Sequence, residues 1–193
     1  MKIGFEFLEN TDRQELSAIY DTLTPSRRAR IDRLKRQEDK NLSLLAELVA
    51  RRLLAEAGEK ELPQSAENGR PFLENSGLYI SLTHSGSLAA CALDTAPIGI
   101  DAERVRPVRS ALFGRVCTDE ELAFITEGET ALSEVIEDSA LLDRFFQVWT
   151  AKEACFKARG SGITDIKSVN ALTLERKVMR KGEYLITVVA LEG

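Results

Sequence analysis

Histidine is nearly missing from this 193-residue chain, with His84 the only one. That excludes poly-histidine metal centres and disfavours a cysteine–histidine nucleophile. Cysteine is sparse and odd in number. Cys91, Cys117 and Cys155 each sit in an apolar stretch, so they read as reduced, buried small hydrophobes, not as a disulfide frame or zinc site. No apolar run approaches the roughly 20 residues needed to span a bilayer. The first residues, Met1 to Leu8, are too short and too acidic for a secretory signal. A cytoplasmic protein without a membrane partner is therefore expected. Net positive charge is lacking too: 26 Lys and Arg against 31 Asp and Glu leave −5, which gives no global attraction for nucleic acid or anionic lipid.

What is present is the composition of a globular protein, 44% hydrophobic and 30% charged, in a chain long enough to bury a substantial core. The charge is uneven. Arg27, Arg28, Arg30, Arg33, Lys35, Arg36, Lys40, Arg51 and Arg52 crowd one stretch, while Glu127, Glu129, Glu134, Glu137 and Asp138 crowd another.

Ile3, Phe5 and Phe7 alternate with polar or small residues, the period of a half-buried strand. Helices are expected from Thr11 to about Leu23, from Pro25, and through Leu42–Leu54, the last closed near Gly58. Pro63 to Gly77 is rich in turn formers and reads as a loop. Strands are expected at 79–84, 88–93 and 98–101, with turns at Ser85-Gly86-Ser87 and 94–97. Thr118 followed by Glu121 forms a capping-box signature. The acidic stretch from Glu127 reads as loop with a weak helix, and Leu141 to Arg159 as a strong helix stopped by Gly160 and Gly162. Strands at 172–174 and 184–189 complete the chain. This order predicts an α+β protein of two similar halves related by a pseudo-two-fold, residues 1–100 and 101–193. Each half is a small, mainly antiparallel sheet packed with helices, with a cleft between them.

Residues two apart on a strand lie roughly 7 Å apart on one face, so Asp101 and Glu103 point the same way. Two or three carboxylates with open positions suit Mg²⁺, which takes hard oxygen ligands alongside waters and phosphate oxygens. Read alone, the pair is equally a solvated strand end matched by Arg104 or Arg106. On the helix, Phe145, Val148, Trp149 and Phe156 form an apolar stripe. Glu153 and Lys157 flank it, and Lys152 intrudes into it, where a charge is expensive unless a counter-charge meets it. Snorkelling along the stripe is the other reading of Lys152. His84 beside Thr83 and Ser85, and Arg70 held between Gly69 and Pro71, suit a phosphate site. Arg27 and Arg30, three apart on a helix, could clamp another, or form a solvated basic face.

Gly99 to Glu103 (Gly-Ile-Asp-x-Glu) and Trp149 to Lys157 (Trp-Thr-x-Lys-Glu-Ala-x-x-Lys) resemble the two signatures of the 4′-phosphopantetheinyl transferase superfamily, in its larger, pseudo-two-fold branch. Gly69-Arg70-Pro71 resembles its Gly-Lys-Pro element, Thr83-His84-Ser85 its Ser-His-Ser turn, and Pro25 to Ser43 its basic coenzyme-binding segment. Five elements in order, spread from the N-terminus to about residue 190, carry the resemblance. It implies a Mg²⁺-dependent enzyme that moves the phosphopantetheine arm of coenzyme A onto a serine of an acyl or peptidyl carrier protein. Adenosine 3′,5′-bisphosphate would leave.

The resemblance implies Asp101, Glu103 and Glu153 as metal ligands, and Arg27, Arg30, Ser43, Arg70, Thr83, His84 and Lys157 as coenzyme contacts. Lys152 would be a basic group close to the site. Lys157 would donate to the pyrophosphate, with Glu153, or its rival Asp101, as the base. Leu112, Phe113 and the segment to Ile125 are placed beside the cleft entrance, where an acidic carrier helix would dock. Thr83 stands where serine is usual, and Ala102 replaces a larger apolar residue. Leu191-Glu192-Gly193 falls where family members continue into one more strand, so an exposed sheet edge is expected. A monomer is expected, since two halves in one chain can form the cleft. The alternatives are a non-catalytic carrier-protein or coenzyme A-binding module that keeps the motifs, and a nucleic-acid binder using the Arg27–Arg52 stretch. The acidic overall charge and the lack of interleaved aromatics oppose the last.

Overall fold

The computed structural model describes residues 1–129, 131–162 and 164–191. The first half runs β1 (Lys2–Phe7), α1 (Arg13–Asp21), α2 (Pro25–Asp32), α3 (Gln37–Glu56), β2 (Gln64–Ser65), β3 (Pro71–Phe72), β4 (Tyr79–Ser85) and β5 (Leu88–Asp94). The second runs β6 (Ile98–Arg104), β7 (Val108–Arg109), α4 (Ala111–Val116), α5 (Asp119–Thr126), β8 (Val135–Ile136), α6 (Ser139–Arg159), β9 (Lys177–Lys181) and β10 (Tyr184–Ala190). The main sheets have orders β1-β5-β4 and β6-β10-β9, every pairing antiparallel. The α+β class and the two similar halves follow. β6 belongs wholly to the second sheet, so the expected boundary at residue 100 falls inside a strand; the halves change over at the turn before Ile98.

Alternation along the strands sets the layers. In β5, Leu88, Ala90 and Ala92 pack with Ile98, Ile100 and Ala102 of β6 and Ile186 and Val188 of β10, a core between the sheets. The opposite faces take a helix each. Cys91 and Leu93 meet Val49, Ala50, Leu53 and Leu54 of α3, and Leu185 packs with Phe145, Val148 and Ala151 of α6. Small alanines between the sheets allow them to close. β9, an edge of the second sheet, carries Lys177, Arg180 and Lys181, charges that discourage further strand pairing.

The halves share a detail too local to be read as a repeat. Ile3-Gly4-Phe5-Glu6 on β1 corresponds to Ile98-Gly99-Ile100-Asp101 on β6. A Cβ on Gly4 would meet Val49 and Leu53 of α3 at 3.2 and 3.1 Å; one on Gly99 would meet the Ala154 carbonyl of α6 at 1.8 Å. Two residues beyond each glycine an acid pairs with its helix: Glu6 with Arg52 at 3.2 Å and Asp101 with Lys157 at 2.7 Å. Gly99 is therefore what lets β6 lie against the α6 backbone. Gly99→Ala is expected to cost about 1–3 kcal/mol, the range for overpacking, seen as a lowered thermal midpoint.

Several elements differ from expectation. The acidic stretch forms no helix among its described residues; Val135–Ile136 instead pairs with β7. Residues 172–174 are not a strand. Ala171–Thr173 is a 3-10 turn capped by Asn170, and the edge strand begins at Lys177. α6 is buried on most of its circumference and not along one stripe. The capping box at Thr118 and Glu121 is present, and Gly58 follows α3 with φ +76°.

Candidate active site

A cavity of about 520 Å³ opens between the halves. From the second half, β6 contributes Asp101 and Glu103 and α6 contributes Glu153, Phe156 and Lys157; from the first come Arg27, Arg30, Ser43, Arg70, Thr83 and His84. Every coenzyme- and metal-site residue expected from sequence therefore lines one space, except Lys152.

Lys152 is fully buried inside the second half. Its Nζ donates to Glu121 Oε2 at 2.7 Å and to the carbonyls of Val116 and Ile166 at 2.9 and 3.1 Å. It does not reach the cavity, so its place beside the coenzyme is corrected. The counter-charge its burial demands is Glu121, which sequence reasoning had used only as the third residue of the capping box.

The acids are tied to the protein. Asp101 Oδ1 accepts from Lys157 Nζ at 2.7 Å and from Thr83 Oγ1 at 3.0 Å, and Lys157 also donates to the Ile100 carbonyl at 3.1 Å. Asp101 Oδ2 is buried with no hydrogen-bond partner among the described residues. Glu103 accepts from Ser85 Oγ at 2.8 Å. Burial, then its own weaker repulsion from Asp101, raises the Glu103 pKa against the pull of the Ser85 hydrogen bond. Burial, reinforced by Asp101 and Glu103 against Lys157, raises Glu153 to about 7. A carboxylate orphaned at one oxygen, beside an acid whose proton is held by burial and then by like charge, is a site short of positive charge. Among the described residues, however, no three His, Cys, Asp or Glu side chains are gathered closely enough to hold an ion. Glu103 and Asp101 turn instead to hydroxyls and Lys157. The hard oxygens and the orphaned Oδ2 fit Mg²⁺ in kind.

The opposite wall is cationic and is built on glycines. A Cβ at Gly69 (φ +81°) would lie 1.6 Å from Arg30 Nη1, and one at Gly160 (φ +72°) 1.8 Å from Arg70 Nη1. Both guanidinium groups thus bring an Nη1 up against bare backbone. Arg70 also donates to the Ala158 carbonyl at 3.3 Å, a cation at the C-terminus of α6. Burial and then the charge of Arg27 lower the Arg30 pKa, the mark of cations crowded where an anion would relieve them. His84 stands exposed at the rim; the surrounding protein mass, then Lys157, lowers its pKa. Arg27 is bonded to Glu47 and to Ser65 Oγ, the latter at 3.1 Å. Glu47 was missed because it sits in a leucine-rich helix with nothing local to mark it. Phe156 was read as core but also walls the cavity. Phe113 and Ile125, expected near a docking face, are core residues, while Phe124 is exposed.

The chain resembles known proteins in the same places. Residues 97–188 match the 4′-phosphopantetheinyl transferase superfamily. The chain is 27% identical over 157 residues to 4′-phosphopantetheinyl transferase psf-1 of Bacillus pumilus, 79% of this chain and 64% of that protein. It is 24% identical over 147 residues to 4′-phosphopantetheinyl transferase Sfp of Bacillus subtilis, 74% and 62% of the two chains. To 4′-phosphopantetheinyl transferase HetI of Nostoc sp. it is 38% identical over 113 residues, 54% and 44%. It thus spans less than two thirds of the length of these relatives. The matched region holds Asp101, Glu103, Glu153 and Lys157 on the strand and helix that Gly99 brings together, so the likeness to the 4′-phosphopantetheinyl transferase superfamily falls on the acidic wall of the cavity.

Proposed function

We propose that the cavity binds coenzyme A and that the protein transfers its 4′-phosphopantetheine arm to a serine hydroxyl of an acyl or peptidyl carrier protein, with Mg²⁺. The observation that supports this most is the division of one cavity into an acidic wall with an orphaned buried carboxylate oxygen and a cationic wall of Arg27, Arg30 and Arg70 beside His84. A ligand with a pyrophosphate and a further phosphate offers anions to the basic wall, and through a cation to the acidic one. Asp101, Glu103 and Glu153 would hold the Mg²⁺, which when bound neutralises pyrophosphate charge and that developing on the leaving oxygen. Arg30, Arg70 and His84 orient the phosphates. Lys157, beside Asp101, donates to the pyrophosphate as its bond breaks. Glu153, raised to about 7, takes the serine proton directly or through a water. The serine oxygen bonds to the phosphorus carrying the pantetheine, and adenosine 3′,5′-bisphosphate leaves. One chain supplies both walls, in keeping with a monomer, and three free buried cysteines are in keeping with the cytoplasm.

Incubation with coenzyme A, Mg²⁺ and a panel of apo carrier proteins tests this. A carrier mass increase equal to phosphopantetheine is expected, lost in Asp101→Ala. Coenzyme binding without any covalent product would leave a binding module instead.

A further inference from the structure

β6 is an edge strand of its own sheet, so alternate backbone amides point away from β10 and need acceptors. They find them on the other half. Ile100 N donates to Ser81 Oγ at 3.1 Å, Ala102 N to Thr83 Oγ1 at 3.3 Å and Arg104 N to Ser85 Oγ at 3.2 Å, each pair 19 residues apart. β4 and β6 thus run side by side in parallel, joined by side-chain hydroxyls where a backbone ladder would stand. Ile80 and Leu82, alternating with the hydroxyls, pack toward α3. The hydroxyls also donate. Thr83 gives its proton to Asp101 Oδ1 and Ser85 gives its proton to Glu103 Oε2. The corresponding neighbour of Ser81 is Gly99, which has no side chain to receive one.

We infer that Ser81, Thr83 and Ser85 form a hydroxyl ladder that seals the two halves together and, at its second and third rungs, aims Asp101 and Glu103 into the cavity. Ser85 and Thr83 are positioning residues: the same hydroxyl that accepts from the β6 backbone fixes the acid beside it. Seam closure and acid orientation are one event. A chain whose halves part at β4–β6 loses both, and a chain whose acids turn away loses a seam acceptor. The hydroxyl of Thr83, engaged in both directions, is occupied within the protein, which leaves His84 to present to the ligand from this strand.

The inference rests on the metal-dependent reading of the site only for what the acids are aimed at. Its test therefore has an arm that needs neither metal nor carrier. Ser85 does not line the cavity, so Ser85→Ala touches no ligand. In the ligand-free full chain, Ser85→Ala should speed hydrogen exchange of the Arg104 amide about tenfold, the effect of one lost hydrogen bond. Thr83→Val should do the same at Ala102, and Thr83→Ser should restore protection there. In the second arm, Ser85→Ala should raise the Mg²⁺ concentration giving half-maximal binding severalfold by calorimetry, with the KM for coenzyme A unchanged. Unaltered exchange at both amides would overturn the ladder. Faster exchange with unaltered Mg²⁺ binding would overturn its aiming role. A wild-type protein that transfers nothing to any carrier would sink the transferase reading while leaving the exchange arm to decide the seam.

Discussion

Alanine at position 152 should cost the protein about 3–5 kcal/mol of stability, the range for leaving one member of a buried ion pair alone. Lys152 and Glu121 are both fully buried and meet at 2.7 Å. Removing the ammonium strands a carboxylate whose other donors are the backbone amides of Thr118 and Ala171, both at 2.7 Å. It also takes the donor from the carbonyls of Val116 and Ile166. Four segments lose their common tie: the end of α4, the start of α5, the 3-10 turn at Ile166–Ser168 and the middle of α6. Lys152→Met with Glu121→Gln should recover part of the loss, because no charge is left unpaired and the amide oxygen still accepts from one of the two backbone amides. Urea midpoints at a common slope measure both variants. The coenzyme KM of whatever folded Lys152→Ala remains should equal that of the wild type. A nearly unchanged midpoint with a raised KM would put Lys152 back beside the coenzyme.

That pair marks where the sequence was and was not legible. The helical wheel placed Lys152 in an apolar stripe and demanded a counter-charge, but nothing local to residue 152 could name Glu121, which lies 31 positions earlier and already had a local role as a cap. Short-range rules performed well where the cause is short-range: the alternation of β1, the capping box at Thr118, the left-handed glycines closing α3 and α6. They failed at residues 172–174, where Leu172-Thr173-Leu174 has strand composition but Asn170 caps a tight turn instead. The site itself was readable as residue types on a strand and a helix. Its assembly was not, because Gly99 must be known to touch the Ala154 carbonyl before the two signatures can be said to meet. The hydroxyls of β4 were similarly opaque. Ser81, Thr83 and Ser85 alternate along one strand, but nothing local names their partners, which are backbone amides of another sheet.

Glu153→Gln should lower transfer by about 10²–10⁴-fold, the usual worth of a positioned proton acceptor, and should at the same time stabilise the ligand-free protein above neutral pH. Burial first, then the charges of Asp101 and Glu103, lift this carboxyl from 4.5 to about 7 in the folded chain, with Lys157 opposing. A carboxyl bound more tightly to its proton when folded contributes stability below its unfolded pKa. That contribution fades as pH rises from about 4.5 to 7, and above 7 the ionised group is a net burden. Allowing for its partial exposure, the burden is on the order of 1–2 kcal/mol. The glutamine variant carries no such charge, so its urea midpoint should exceed that of the wild type at pH 8 and match it near pH 4. The opposite ordering, or a gap independent of pH, would mean that the carboxylate is already compensated within the ligand-free chain. A divalent cation reverses the balance, because it binds only the ionised acid. Mg²⁺ binding to the wild type should therefore release protons near neutrality and strengthen as pH rises toward 7. Calorimetry in buffers of different ionisation enthalpy would detect that release, and in Glu153→Gln it should shrink. The residue that makes the empty site unstable is then the one through which the cation stabilises it, and the pH range of both effects is set by the same three carboxylates.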